Sequence, residues 1–518
     1  MSDRTLISLK FLGGVASDNL TGSCMLLNTR QGKRNNKLLI DAGLIQGCFH
    51  KSLDKNREIL EQFNPREKDT DIIITHAHID HTGRLPLFTR HGFLGKIICT
   101  EGTADLLTPM LEDSAKIQTA EAAYLFRKLR HSQKDFSHKL LAYGTYDRNR
   151  LKNKQHKSSD ELSPLYTIKD VEVVEGLIKN GGHGFFQWEN VAYNISVKFY
   201  PSGHVMGGAI VVLRIISKPK DIYFCFTGDL GRRDGIILPP PVVVEEPIDY
   251  FIIESTYGGK THPERDQEIQ KLFELIKQAA ITKLRLLIPS FALERAQEII
   301  YLLSYHMALG DIPYVPIYLD SPLAEKITAV FSKGWRQGMF SDQARLYFNP
   351  FDPATNPYLH IITSQEESDA LITRSGSSIE IAGSGACDAG RIRSKLKAHL
   401  GNANTVVCLV GYMPENSLGR KLKDGFKAVK MNGKEVTVKA NIVSFDSFSA
   451  HADGPFLEDY TLAVQNNNPA SLKKIFIVHG ETKSSEDLQA GLLEIFTKSK
   501  NKTTNIIIPK LNQEFICD

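Results

Sequence analysis

Residues 71–86, Asp71-Ile-Ile-Ile-Thr-His-Ala-His-Ile-Asp-His-Thr-Gly-Arg-Leu-Pro86, decide how the rest of the chain is read. The apolar run Ile72, Ile73, Ile74 predicts a buried strand that stops at Thr75. His76, His78, Asp80 and His81 follow at H-x-H-x-D-H spacing. Imidazole nitrogen and carboxylate oxygen are the usual donors to a borderline divalent ion such as zinc. Donors crowded just past a strand end sit on a tight turn or helix start, where a bent loop can aim two at one ion and two at another.

Composition sets wide bounds around this loop. At 518 residues the chain is too long for one ordinary core, so two or more domains are expected. A hydrophobic content of 42% and a charged content of 24% are those of a soluble globular protein. No apolar run reaches the roughly eighteen residues needed to span a bilayer, and charges near the start argue against a signal peptide. The seven cysteines are scattered, odd in number and lack C-x-x-C spacing, which argues against a disulfide framework or a Cys-based zinc site and suits a reducing cytoplasm. A net charge of +4 neither demands nor forbids a nucleic-acid partner.

Upstream, Ser8–Gly14, Ser23–Asn28 and Lys37–Gly43 look like strands punctuated by glycine turns, and Asp41 stands where the third ends. Downstream, a helix is expected from Gly102 to about Arg130. Residues 127–157 then hold ten Lys/Arg against Asp135 and Asp147, which reads as a solvated surface loop or as a basic arm near a polyanion. Paired strands at 191–215 and 221–229 carry Ser202-Gly-His204 and Thr227-Gly-Asp229, and a strand at 248–258 carries Glu254. From about 264 the pattern alternates helix and strand, which implies a mostly parallel sheet wrapped by helices. The predicted organisation is a first domain over 1–255, an inserted α/β domain over 256–429, and a completion of the first domain over 430–518.

The H-x-H-x-D-H loop resembles the signature of the metallo-β-lactamase superfamily. Three later positions fit that resemblance: His204 in a glycine-rich turn, Asp229 in Thr-Gly-Asp, and His479 at the end of Ile475-Phe-Ile-Val-His479. Glu254 in Glu-Ser-Thr-Tyr-Gly, His451 in Phe448-Ser-Ala-His451 and His479 further resemble the extra motifs of the β-CASP branch, which includes ribonuclease J and the cleavage-and-polyadenylation endonuclease. Ile288-Pro-Ser-Phe-Ala-Leu-Glu-Arg-Ala-Gln-Glu, Leu319-Asp-Ser-Pro-Leu-Ala, and Gly411-Tyr with Ser417-Leu-Gly-Arg resemble phrases of the same branch.

The resemblance implies an αββα sandwich with an inserted β-CASP domain. It assigns His76, His78 and His204 to one ion, Asp80, His81 and His479 to another, and Asp229 to both, with Asp41 as an orienting support. The pair of divalent ions, zinc by the donor set and manganese as the alternative, would stand about 3.5–4 Å apart over a shared water or hydroxide. His451 would be the general acid for a leaving 3′ oxygen, steadied by Glu254, with helix capping as the plainer reading of His451.

The function implied is a cytoplasmic hydrolase of RNA phosphodiesters, leaving 5′-phosphate and 3′-hydroxyl ends. Single-stranded RNA is the implied partner, no membrane is involved, and a homodimer is a candidate assembly. A DNA-processing β-CASP enzyme, a small-ester or thioester hydrolase of the same fold, and a metal-free scaffold are the rival readings.

The turn Ala382-Gly-Ser-Gly-Ala-Cys387 enters a helix, so its backbone could hold phosphate oxygens, with Ser321, Ser384 and Arg391 as candidate contacts; simple chain reversal reads equally well. Asp388 stands where a dinucleotide fingerprint would need its third glycine, which argues against a nucleotide cofactor. Relatives often have Met where Ala386 stands, and the basic 127–157 stretch is longer than usual for the branch.

Overall fold

The computed structural model describes residues 5–16, 21–47, 49–131, 163–431, 433–467, 472–498 and 504–518. Apart from helical backbone up to His131, the basic stretch 127–157 lies outside these described residues.

Two mixed sheets face each other. The first orders its strands Glu514–Cys517, Leu6–Gly13, Cys24–Gln31, Arg34–Ile40, Thr70–Ile73 and Ile97–Ile98. The second runs Asn505–Ile507, Lys474–Val478, Tyr250–Glu254, Ile222–Phe226, Ala209–Ile215, Ile195–Pro201 and Glu189–Ala192. The two-residue side-chain period of a strand explains the layering. Met25, Leu27 and Ile73 of the first sheet meet Phe224, Phe226, Ile252 and Phe476 of the second in one inner core. Their neighbours Leu26, Ile72 and Ile74 point the other way, into a core shared with helices Glu101–His131 and Ile168–Leu177. Cys225, Phe251, Ile253 and Ile477 likewise face helices Gly454–Asn467 and Thr482–Lys498. The result is the αββα sandwich that the resemblance implies.

A third sheet, all parallel, orders Leu359–Ile361, Ile317–Leu319, Ser378–Ala382, Arg285–Pro289, Thr405–Leu409 and Asn441–Ser444. Leu286 and Ile288 face one helical layer, with Arg295–Leu309 and Pro322–Gln337, while Leu287 faces another with Gly390–His399. Parallel strands covered on both faces are buried throughout, as expected of helix–strand alternation. The sequence reading returns the chain to the first domain at 430, but Asn441–Ser444 still pairs with Thr405–Leu409 in this third sheet. That strand is only partly buried, so no apolar pattern marks which sheet it joins.

Cys24, Cys99, Cys225, Cys387, Cys408 and Cys517 are buried and free. Among the described residues no helix is long and apolar enough to cross a membrane.

Candidate metal centre

The chemistry-bearing residues collect at the carboxyl ends of adjacent strands. Asp41 follows Arg34–Ile40, His76–His81 follow Thr70–Ile73, Asp229 follows Ile222–Phe226, Glu254 ends its own strand, and His479 follows Lys474–Val478. His204 comes from the turn between Ile195–Pro201 and Ala209–Ile215. Parallel pairing of Arg34–Ile40 with Thr70–Ile73, and of Tyr250–Glu254 with both Ile222–Phe226 and Lys474–Val478, brings these ends to one rim.

His76 Nε2 lies 3.1 Å from His78 Nδ1, and His204 Nε2 lies 3.3 Å from the same nitrogen. Asp229 Oδ2 stands 3.5 Å from both His76 Nε2 and His204 Nε2. Four donors bound tetrahedrally at zinc distances would be about 3.3 Å from one another, so the spacing fits such an ion. Burial holds all three imidazoles below their ordinary pKa, His78 at about 4, which keeps them neutral with lone pairs available.

The other carboxylate oxygen of Asp229 serves a second group. Asp229 Oδ1 lies 3.3 Å from His81 Nε2 and 3.5 Å from His479 Nε2, and His479 Nε2 lies 3.7 Å from Asp80 Oδ2. His81 Nε2 and Asp229 Oδ1 are buried and make no hydrogen bond among the described residues. Leaving such atoms unsatisfied is costly, and a cation between them removes that cost. Burial opposes ionisation of Asp229, yet His479, His81 and His76 together hold its pKa well below the usual carboxylate range. The donor set therefore fits divalent metal.

Asp41 stands behind this layer. Its Oδ2 lies 2.7 Å from His81 Nδ1, and its Oδ1 accepts the Thr75 amide at 2.8 Å. Thr75 Oγ1 lies 3.0 Å from His76 Nδ1 and 3.0 Å from Asp41 Oδ2. One carboxylate thus orients His81 directly and His76 through the Thr75 hydroxyl, turning each Nε2 forward. Thr75 received no role from the sequence. A hydroxyl wedged between two rings leaves no spacing signal.

His451 and Glu254 flank the cluster. His451 Nδ1 lies 3.2 Å from Glu254 Oε1 and 4.0 Å from Asp229 Oδ2. The Ala452 amide donates to the Leu230 carbonyl at 2.8 Å, which fixes the segment beside the Asp229 turn. Burial disfavours charge on His451, but the Glu254 carboxylate outweighs it and lifts the pKa to about 9. Glu254 also accepts the amides of Leu230 at 2.8 Å and Thr256 at 3.1 Å. A carboxylate so occupied is suited to hold a ring rather than a metal.

The sequence model of the metallo-β-lactamase superfamily matches residues 20–174, that of the Beta-Casp domain residues 296–422, and that of the Zn-dependent metallo-hydrolase RNA specificity domain residues 435–509. Ribonuclease TTHA0252 of Thermus thermophilus is 30% identical over 90% of this chain and 92% of its own length. The chain belongs to the β-CASP family of the metallo-β-lactamase superfamily. The RNase J-like protein of Methanocaldococcus jannaschii is 26% identical over 92% of this chain and 93% of its own. Transcription termination factor FttA of Cenarchaeum symbiosum is 26% identical over 96% of this chain and 70% of its own.

The β-CASP sheet presents its carboxyl strand ends with Ser321, Ser384 and Arg391 nearby. Ser321 caps helix Pro322–Gln337 by accepting the Ala324 amide. Ser384 pairs with the backbone of Ala389, and Arg391 donates to Asp320 at 2.7 Å and to the Ile362 carbonyl at 3.1 Å. Each therefore has local work within the inserted unit. Glu294, not singled out by sequence, ties that unit to the metal turn: it accepts the Met206 amide at 3.1 Å, two residues past His204.

Proposed function

We propose that the protein is a metal-dependent ribonuclease that hydrolyses phosphodiester bonds of single-stranded RNA in the cytoplasm. Two divalent ions, zinc by preference for an imidazole-rich set and manganese as the alternative, would be held by His76, His78 and His204 on one side and Asp80, His81 and His479 on the other. The observation that carries this reading is Asp229, whose two oxygens face separate donor groups at 3.3–3.5 Å. The names of the relatives, ribonuclease and RNase J-like protein, support RNA as substrate.

When bound, such ions lower the pKa of water towards neutrality and offset charge on an attacked phosphate. The chain supplies the rest. Asp41 and Thr75 fix the ligand rings before substrate arrives. Glu254 holds His451 by Nδ1, leaving the far ring nitrogen to deliver a proton to the departing 3′ oxygen. The oxygen of water then ends on the 5′ phosphate, the P–O3′ bond breaks, and the proton ends on the 3′ hydroxyl.

The test is direct. Zinc- or manganese-loaded protein is incubated with end-labelled RNA, the matching DNA and a generic ester, and product ends are mapped enzymatically. RNA cut to 5′-phosphate and 3′-hydroxyl ends supports the reading. Hydrolysis of DNA or ester in preference to RNA, or 3′-phosphate products, overturns it.

A further inference from the structure

Phe291 follows strand Arg285–Pro289 and is 52% exposed. What sets it apart is the surface beneath its ring. A Cβ built on Gly385 would come within 2.8 Å of ring atoms Cδ2 and Cε2, and one built on Gly411 would lie 3.8 Å from Cε2. Gly385 follows strand Ser378–Ala382 and Gly411 follows Thr405–Leu409, the two neighbours of Arg285–Pro289 in the third sheet. Bare backbone from two flanking turns therefore seats the ring, and more than half of the side chain stays open. Any side chain at Gly385 would unseat it. The glycine-rich turn, legible in the sequence as either a phosphate cradle or a chain reversal, thus has a third use.

A second exposed aromatic follows Gly411 in the chain. Tyr412, next to Gly411, is 53% exposed, and its hydroxyl makes a long hydrogen bond to Glu481 Oε1 at 3.5 Å. Glu481 lies two residues past His479. Three residues after Phe291, Glu294 is fastened to the turn that carries His204. Both aromatic side chains are therefore borne by segments tethered to metal-ligand turns.

We propose that Phe291, seated on Gly385 and Gly411, is a stacking platform for the bases of single-stranded RNA entering the metal centre, with the exposed Tyr412 that follows Gly411 on the same strand end. A ring already held by glycine loses little freedom when a base covers it. Every base offers a π-face, so the platform gives affinity with little sequence preference. The inference rests on the ribonuclease reading above.

The experiment uses metal-loaded protein and a single-stranded RNA carrying 2-aminopurine, whose fluorescence falls when it stacks. Binding is followed by stopped flow before cleavage, and KM and kcat are measured on the same RNA. Wild type should quench the probe at one or two positions along the strand. Phe291→Ala and Phe291→Leu should lose the quench at one position and raise KM on the order of tenfold with kcat little changed. Phe291→Trp should restore both. Leu keeps the apolar contact with the glycines, so it separates stacking from packing, and unchanged metal content and melting temperature show that each variant is folded.

Wild-type quench and KM in Phe291→Leu would overturn the platform while leaving the ribonuclease reading intact. So would a variant that alters only the sedimentation of the protein, which would mark the ring as a protein contact. Failure of wild type to bind or cut RNA would overturn both.

Discussion

Asp41 Oδ2 and His81 Nδ1 stand 2.7 Å apart, both 1% exposed, so the imidazole that faces the second donor group is aimed from behind by a buried carboxylate. Asp41 holds this position with φ at 61°, a left-handed conformation that costs a non-glycine residue energy and tends to persist where surrounding contacts demand it. Replacing Asp41 by Asn keeps the shape but weakens the charge-assisted bond. Metal affinity should fall by about 10–100-fold. Chelator competition against the purified protein measures it, and an unchanged affinity would remove the orienting role from Asp41.

His451→Ala should retain its metal and its fold but lower RNA cleavage by roughly 10²–10⁴-fold, the usual worth of a positioned general acid. Glu254→Gln should lose less, because its one remaining oxygen can still accept from the Leu230 amide and His451 Nδ1, while the Thr256 amide loses its acceptor. Metal analysis and single-turnover cleavage of both variants check the pair. Loss of metal in His451→Ala would reassign that residue to ligation.

His262 offers a pH prediction away from the ligands themselves. Burial, helped by the nearby Arg232 charge, holds its pKa near 4, below the ordinary 6.5, while its Nε2 faces the His451 carbonyl at 3.0 Å. The unfolded chain therefore binds a proton that the folded chain refuses between about pH 6.5 and 4. Stability should fall as pH drops through that window and be insensitive to this group above it. His262→Gln, compared with wild type in excess chelator by denaturant melts, should flatten that part of the profile.

Gly43→Ala should be among the most damaging small substitutions. A Cβ there would stand 1.7 Å from the Asp80 carbonyl oxygen and 2.6 Å from the Ser23 amide nitrogen. Those two atoms are already hydrogen-bonded to each other at 2.9 Å, which pins the metal loop to the first sheet. Backbone has nowhere to yield, so a loss of several kcal/mol is expected, on the order of 3 or more. Thermal melting with and without zinc measures it; a near-native melting temperature would show that the loop can shift.

The candidate donors could be picked out because each sits near a strand end inside a short, chemically unusual phrase. His76, His78, Asp80 and His81 crowd a single loop, and His204, Asp229 and His479 each close a recognisable turn. The sandwich came from the motif resemblance: strands such as Lys474–Val478 are apolar on both faces, so their sequence does not tell inner from outer. What escaped were relations between distant segments. Glu294 reaches Met206 across 88 residues, and nothing local to either predicts the contact. Phe291 stands inside a phrase of the β-CASP branch, but that phrase does not reveal that two distant glycine turns seat its ring and leave it facing outward. Strand Asn441–Ser444 pairs with Thr405–Leu409, a partner that a short, partly exposed edge does not announce in its sequence.

The Glu254–His451 contact joins residues 197 positions apart, and the entire inserted unit is threaded between them. Synthesis runs from one end, so a growing chain acquires His76, His78, His204 and Asp229 long before it acquires His451 or His479. The donors of the first group are therefore all in hand before the insert is made, whereas the second group waits for His479, and the Glu254–His451 pair for the return of the chain from the insert, so the two halves of the centre are completed at opposite ends of synthesis.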